Sequence, residues 1–497
     1  MSLTPYQQLE DRFRRLLSLR DAEAMLHWDM ATMMPAGGAR SRGDQLATLK
    51  AVQHGILTEP ETEFLLQAAL DNDVDDGPEA ANLREMQRMW GRATALSEDL
   101  VVALAKSRSA CETIWRKARA EDDFALVLPH LEKFLSLLRQ AAGATAEKLD
   151  LSPYDALLDE YEPGGRTREI DRLFGELQSF LPGYLSRALE RQSGGPPALK
   201  PKGPFAAGKQ RALGVRLMKI LGFDFEHGRL DESLHPFCGG TPDDIRITTR
   251  YDGDDFTQAL MAVLHETGHA LYDRGLPKAW RGQPAGEARS MGVHESQSLL
   301  IEMQVCRSPE FLAYAAPLMA AAFDGAGPAW ETENLLRLYT WVEPGLIRVE
   351  ADEITYPAHV VLRYNLEKAM LAGDLEAADL PAAWNEEMRR FLGLTPANDR
   401  LGCLQDIHWF DGAWGYFPTY TLGAIMAAQL FEAAQNAVPG IWRAISKGDF
   451  APLLSWLREN VHSQGSLLTS RELLIRATGR PLDTEAYKRH LQRRYLS

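Results

Sequence analysis

The chain has 497 residues, enough for a large core and, on length alone, for two to four domains. A hydrophobic share of 45% and a charged share of 25% are ordinary for a soluble protein, and the net charge of −15 argues against a nucleic-acid or anionic-membrane partner. Four scattered cysteines without a CxxC pair argue against a disulfide framework, and the opening stretch MSLTPYQQLEDRFRRLL has no apolar signal core, so the reading is a cytoplasmic protein.

Helical periodicity dominates from the start. Residues 7–27 carry Leu9, Phe13, Leu16 and Leu17 at helical spacing, and amphipathic stretches follow at about 42–55, 60–70, 78–93, 97–119 and 122–148. Residues 193–204, SGGPPALKPKGP, form the clearest loop; it is read as a surface loop inside one catalytic unit. Strand signals are few. Residues 244–251, DIRITTRY, alternate Ile245 and Ile247 with polar neighbours, and an edge strand there could take an extended peptide.

The next stretch, LMAVLHETGHALYDR at 260–274, carries the chemistry. Residues four apart lie on one helix face, so His265 and His269 can offer two imidazoles to one metal ion. Glu266 is turned away from that pair and suits a general base. Asp254 and Asp255 can cap the helix; Gly275 and Pro277 stop it. Gly268 costs about 1 kcal/mol in a helix interior, which suggests a backbone or a substrate approaching closely. A second helix at 291–305 offers Glu295 as third ligand, with Glu302 on the same face. Glu302 is a candidate partner for a histidine, although an exposed carboxylate is the plainer reading.

Later segments are less decisive. Pro344 and Pro357 bracket a short helical stretch in which Arg348 and Asp352, at i and i+4, read as a surface ion pair or as part of the site. Helices follow at about 358–371 and 381–391, and 394–398 is a turn. Residues 402–409, GCLQDIHW, and 414–420, WGYFPTY, are dense in aromatics, which means core packing. Equally, His408, Tyr416 and Tyr420 are donors able to face a developing negative charge.

HETGH followed by HESQ resembles the carboxypeptidase Taq family of metallocarboxypeptidases. That family's other signatures appear in order: His235-Pro236-Phe237, D-x-R-x-T at 244–248, I-R-x-x-A-D at 347–352 and G-x-x-Q-D-x-H-W at 402–409. His27-Trp28-Asp29, Met34-Pro35 and Arg42 resemble its N-terminal region. The resemblance implies a mainly helical zincin-type peptidase. A small β-sheet would edge a deep groove in a single unit over 1–497, with helices of about 1–125 as one wall. It also implies a homodimer removing single C-terminal residues from peptides with broad specificity. By that resemblance His265, His269 and Glu295 bind one divalent metal and Glu266 is the base. Arg348 takes the substrate carboxylate, Arg246 lies near the closed end of the groove, and His408 and Tyr420 contact the oxyanion or the peptide backbone. Two histidines and a carboxylate suit zinc, and cobalt or manganese fit the same ligands. The alternative is a helical zinc oligopeptidase or dipeptidyl carboxypeptidase. The roles of His235 and His294 stay open between substrate contact and packing.

Overall fold

The computed structural model describes residues 3–71 and 77–496. Helices α1 (Pro5–Thr32), α2 (Ala39–Thr58), α3 (Pro60–Leu70) and α4 (Pro78–Ala93) come first. A Thr4–Gln7 capping box and a proline in the first turn start α1. These four helices close on a core of their own, where Leu9, Phe13 and Leu16 meet Leu65, Leu66, Leu83 and Met86. Then come α5 (Glu98–Glu121), α6 (Phe124–Leu149), α7 (Pro153–Leu158), α8 (Thr167–Ser193) and α9 (Ala207–Ile220). Cys111 and Trp115 turn α5 toward the main core, so by packing the N-terminal group ends with α4.

Strands β1 (Gly228–Glu232), β2 (Phe237–Thr241) and β3 (Asp244–Thr249) form a sheet in the order β1-β3-β2. The expected edge strand is therefore the central one: β1 pairs with it in parallel and β2 antiparallel, leaving it no free edge for a peptide. Ile245 and Ile247 are buried against Met218, Leu230 and Val263, while strand alternation sends Arg246 to the other face.

The sheet rests on α10 (Phe256–Gly275). Asp255 caps this helix, accepting from the Thr257 amide at 2.8 Å. Val263 and Ala270 face the sheet, and Leu260, Leu264 and Leu271 face the main core. With two faces buried in apolar surroundings, α10 is fixed in rotation. Next, α11 (Met291–Leu299) runs into a π-helical segment, Leu300–Cys306, where one continuous α-helix was expected.

The remainder includes α12 (Pro309–Phe323), α13 (Thr332–Tyr339), α14 (Tyr356–Ala372), α15 (Leu380–Leu392), α16 (His408–Asp411) and α17 (Pro418–Ala437), with further helices to Leu491. Arg348 sits on a single 3₁₀ turn, Arg348–Glu350, shorter than the helix the sequence suggested. The architecture is mainly helical with one small sheet, as expected. No helix among the described residues is long and apolar enough to cross a membrane.

Candidate active site and metal centre

Two glycines let three helices meet at the centre. A Cβ on Gly268 would stand 2.6 Å from the Gln297 carbonyl oxygen and the Ser298 Cα, so α10 and α11 touch backbone to backbone. A Cβ on Gly423 of α17 would stand 2.7 Å from Cβ and Cγ of Glu295, so that side chain is held from behind. Ser290 caps α11 through the Val293 amide at 3.0 Å, and the buried Glu162 accepts from the Gly292 amide at 3.2 Å. A carboxyl oxygen that accepts a free amide at a helix N-terminus steadies the turn that carries Glu295.

These contacts bring His265, His269 and Glu295 together, with one donor atom from each lying within 4.8 Å of the others. Glu295 Oε2 is 3.8 Å from His265 Nε2 and 3.5 Å from His269 Nε2. The opposite ring nitrogens are engaged elsewhere. His265 Nδ1 donates to Glu302 Oε2 at 2.9 Å, and Arg307 donates to Glu302 Oε1 at 2.6 Å. His294 Nε2 donates to Asp273 Oδ1 at 2.9 Å, and His294 Nδ1 meets His269 Nδ1 at 2.6 Å. Only one proton fits between those two Nδ1 atoms. In the arrangement that metal binding requires, His294 donates from Nε2 to Asp273 and accepts the shared proton from His269 Nδ1. In that arrangement both histidines aim Nε2 at Glu295, the nitrogen a metal would take in place of a proton.

The electrostatics agree. Burial disfavours a charged His265 ring, yet Glu295, Glu302 and Glu266 outweigh it and draw its pKa up to about 10. Burial also opposes the Glu302 charge, but Arg307 and His265 hold that carboxyl down at about 2. A buried site that attracts a proton this strongly is a site for a cation.

The same groups line a cavity of about 680 Å³ together with Glu266, Phe237, Arg348, Tyr356, Tyr416 and Tyr420. Arg348 is 5% exposed. Asp406 grips it through Nε at 3.2 Å and Nη2 at 2.8 Å, and Nη1 donates to the Tyr356 hydroxyl at 2.8 Å. Asp406 also accepts from Arg363 Nε at 2.7 Å, and Arg363 donates to Gln405 at 2.8 Å. Two cations hold the Asp406 carboxyl far below its ordinary range despite burial. Of the five guanidinium N–H groups on Arg348, one on each Nη is left to face the cavity.

The family model for carboxypeptidase Taq (M32) metallopeptidase matches residues 8–495. The chain belongs to this family. Thermostable carboxypeptidase 1 of Thermus thermophilus is 38% identical, across 99% of this chain and 98% of that protein. Carboxypeptidase 1 of Bacillus subtilis is 32% identical, across 98% and 97%. Among solved structures, Trypanosoma cruzi metallocarboxypeptidase 1 superimposes with a TM-score of 0.97 at 42% identity, covering 99% of both chains. An M32 carboxypeptidase from Deinococcus radiodurans gives 0.92 at 35% identity, covering 99% and 98%. A carboxypeptidase Taq metallopeptidase depends on a divalent metal ion, and the two-histidine, one-carboxylate donor set fits one.

Several residues of this M32 chain stand elsewhere than the sequence suggested. Glu302 is 7% exposed and bonded to His265, because α10 covers the face it occupies. Arg348 pairs with Asp406; Asp352 instead accepts from the Ile354 and Thr355 amides and the Thr355 hydroxyl. Arg246 does not line the cavity. Asp244 holds it at 2.7 Å and its guanidinium lies 4.3 Å from the Trp28 ring centre, beside α1. His408 is also absent from the lining. It stands behind Tyr420, with Nε2 3.4 Å from that hydroxyl. His235 is exposed on the turn before β2, and His294 is a partner of His269. Asp273, Asp406 and Tyr356 were not singled out. Asp273 continues the four-residue spacing of His265 and His269, a signal that was available.

Proposed function

We propose that this metallocarboxypeptidase hydrolyses single C-terminal residues from peptides with broad specificity, as one catalytic unit over 1–497 and as a cytoplasmic homodimer. The observation that carries this reading is the sharing of one cavity by the His265–His269–Glu295 donor set, Glu266 and the N–H groups of Arg348. Zinc suits the donor set, and cobalt or manganese could take the same place. The four cysteines are free thiols, in keeping with a reducing compartment.

A bound divalent ion would polarise the scissile carbonyl and acidify the attacking water. The chain's own residues do the rest. Arg348, immobilised by Asp406 and Tyr356, takes the terminal carboxylate with two parallel hydrogen bonds and so fixes which peptide bond is presented. Glu266 receives the water's proton and returns it to the departing amine. Burial pushes the Tyr420 hydroxyl well above its ordinary range, so it stays protonated and can donate to the developing oxyanion. His408, kept neutral by burial and by Arg348 with its pKa near 4, holds Tyr420 in place rather than touching substrate. Arg246, which ties the sheet to α1 through Trp28, is kept as the residue near the closed end of the groove.

The test is a mass-spectrometric time course on one short peptide with a free or amidated C-terminus, using metal-loaded protein. A ladder of single-residue losses from the free acid alone is expected. Losses of two residues, or cuts in the amidated peptide, would favour an oligopeptidase or dipeptidyl carboxypeptidase instead. Light scattering in solution checks the dimer.

A further inference from the structure

The cavity's fixed charges are already answered by neighbours. Arg307 pairs with Glu302 at 2.6 Å and Arg348 with Asp406 at 2.8 Å. Glu353 is held by His490 at 2.7 Å and Arg494 at 2.9 Å. Glu266 and Glu295 belong to the metal end. Among the described lining residues beyond the metal end, a substrate side chain entering this cavity therefore meets no unpaired cation or anion.

What it meets there is apolar. Val349 follows Arg348 on the 3₁₀ turn and lines the same cavity, yet it is 72% exposed where Arg348 is 5%. Among the described residues, no other large apolar side chain of the lining is exposed. Pro236 and Phe237 also line the cavity, and Leu234, 77% exposed, stands just before them. At this exposure Val349 contributes little burial to the fold, and its side chain is free to be covered by a ligand. Its neighbour Arg348 fixes the peptide's end, so Val349 lies within reach of the peptide's last residues.

We propose that Val349 is a specificity-determining residue, an apolar contact at the cavity mouth that favours aliphatic side chains near the substrate's C-terminus over charged ones. This deepens the carboxypeptidase reading and rests on it. Because Val349 is exposed, a charge can be placed there without disturbing the core, and the contact becomes an electrostatic selector of predictable sign.

The experiment compares wild type, Val349→Glu and Val349→Lys on two sets of blocked tripeptide acids, one varied at the last residue and one at the penultimate. Each set contains Leu, Lys, Glu and Ala. Wild type should favour Leu in at least one set. In that set Val349→Glu should raise the Lys-to-Glu ratio of kcat/KM about fivefold and Val349→Lys lower it about fivefold, the scale of an exposed ion pair. Both changes should shrink in high salt. Metal content and melting temperature should stay at wild-type values, and within each variant the Ala peptides are the reference against which the Lys and Glu peptides are read. Ratios within twofold of wild type in both sets, with active enzyme, would overturn the proposal alone. No release from any peptide by wild-type enzyme would instead overturn the carboxypeptidase reading and this proposal with it.

Discussion

The metal end of the cavity and the end where Arg348 stands, proposed to take the substrate carboxylate, are built on opposite plans. At the metal end two helices supply the donors, and each histidine is backed by a chain of groups: Glu302 and Arg307 behind His265, His294 and Asp273 behind His269. At the other end a cation stands on a short turn: Arg348 is held by Gln405 and Asp406, by Tyr356 of α14 and by the Tyr420 ring of α17, while Arg363 grips Asp406. The first plan aims two imidazole nitrogens and a carboxylate at one point where an ion from solution can bind. The second fixes a permanent charge so firmly that only two of its N–H groups remain to recognise anything. On the proposed function, the metal end serves the chemistry and the Arg348 end the register of the peptide.

The sharpest way to separate the two is Glu266→Gln. It should leave metal content unchanged and lower kcat by about 10²–10⁴-fold, the range for loss of a general base. Near-wild-type turnover would remove Glu266 from the chemistry. At the opposite end, Arg348→Ala should lower kcat/KM for free-acid peptides roughly 10- to 100-fold, the value of a charge-assisted bidentate contact, mainly through KM. A loss driven by kcat, with KM unchanged, would say that Arg348 does not hold the carboxylate. Within the metal end, Glu302→Gln removes the charge that orients His265 and should weaken metal affinity by about 10- to 100-fold in a chelator competition. Asp273→Asn acts one residue further away, through His294, and should cost less. The reverse order would show that the His269 branch is the governing one.

How far this was legible in the sequence follows the same division. His265, His269 and Glu295 could be read because a helix converts spacing into direction, and α10 and α11 are regular there. The close approach at Gly268 was legible for the same reason. Glu302 was not, because its burial depends on which helix lies over it, and no spacing within one segment reports that. The Arg348–Asp352 pair failed because it assumed a helix across both residues, whereas the 3₁₀ turn ends at Glu350 and Asp352 turns to its own following amides. Arg246 followed strand alternation, which carries it away from Ile245 and Ile247 and onto Trp28. The family signatures located Arg246, Arg348 and Asp352 in the chain without saying which face each would occupy, and Glu302 lies outside them.

The smallest expected effect lies behind the carboxylate end and concerns stability. Glu367 of α14 is fully buried and accepts the Gly415 amide, so it holds the turn that precedes Tyr416. Burial penalises its charge more than the Gly415 and Trp409 contacts favour it, and its pKa rises from 4.5 to about 8. Between those two values the folded protein keeps a proton that the unfolded chain has released. Stability from this group is therefore greatest below about pH 4.5, declines as pH rises through that window, and stays low above pH 8. Glu367→Gln is neutral at every pH and keeps an oxygen for the Gly415 amide, so it should remove this slope. Melting curves at pH 6 and pH 9 should converge in the variant relative to wild type, with the variant the more stable at pH 9. An unchanged gap between the two pH values would mean that Glu367 titrates in its ordinary range, and that the Gly415 turn is held by a charged rather than a neutral carboxyl.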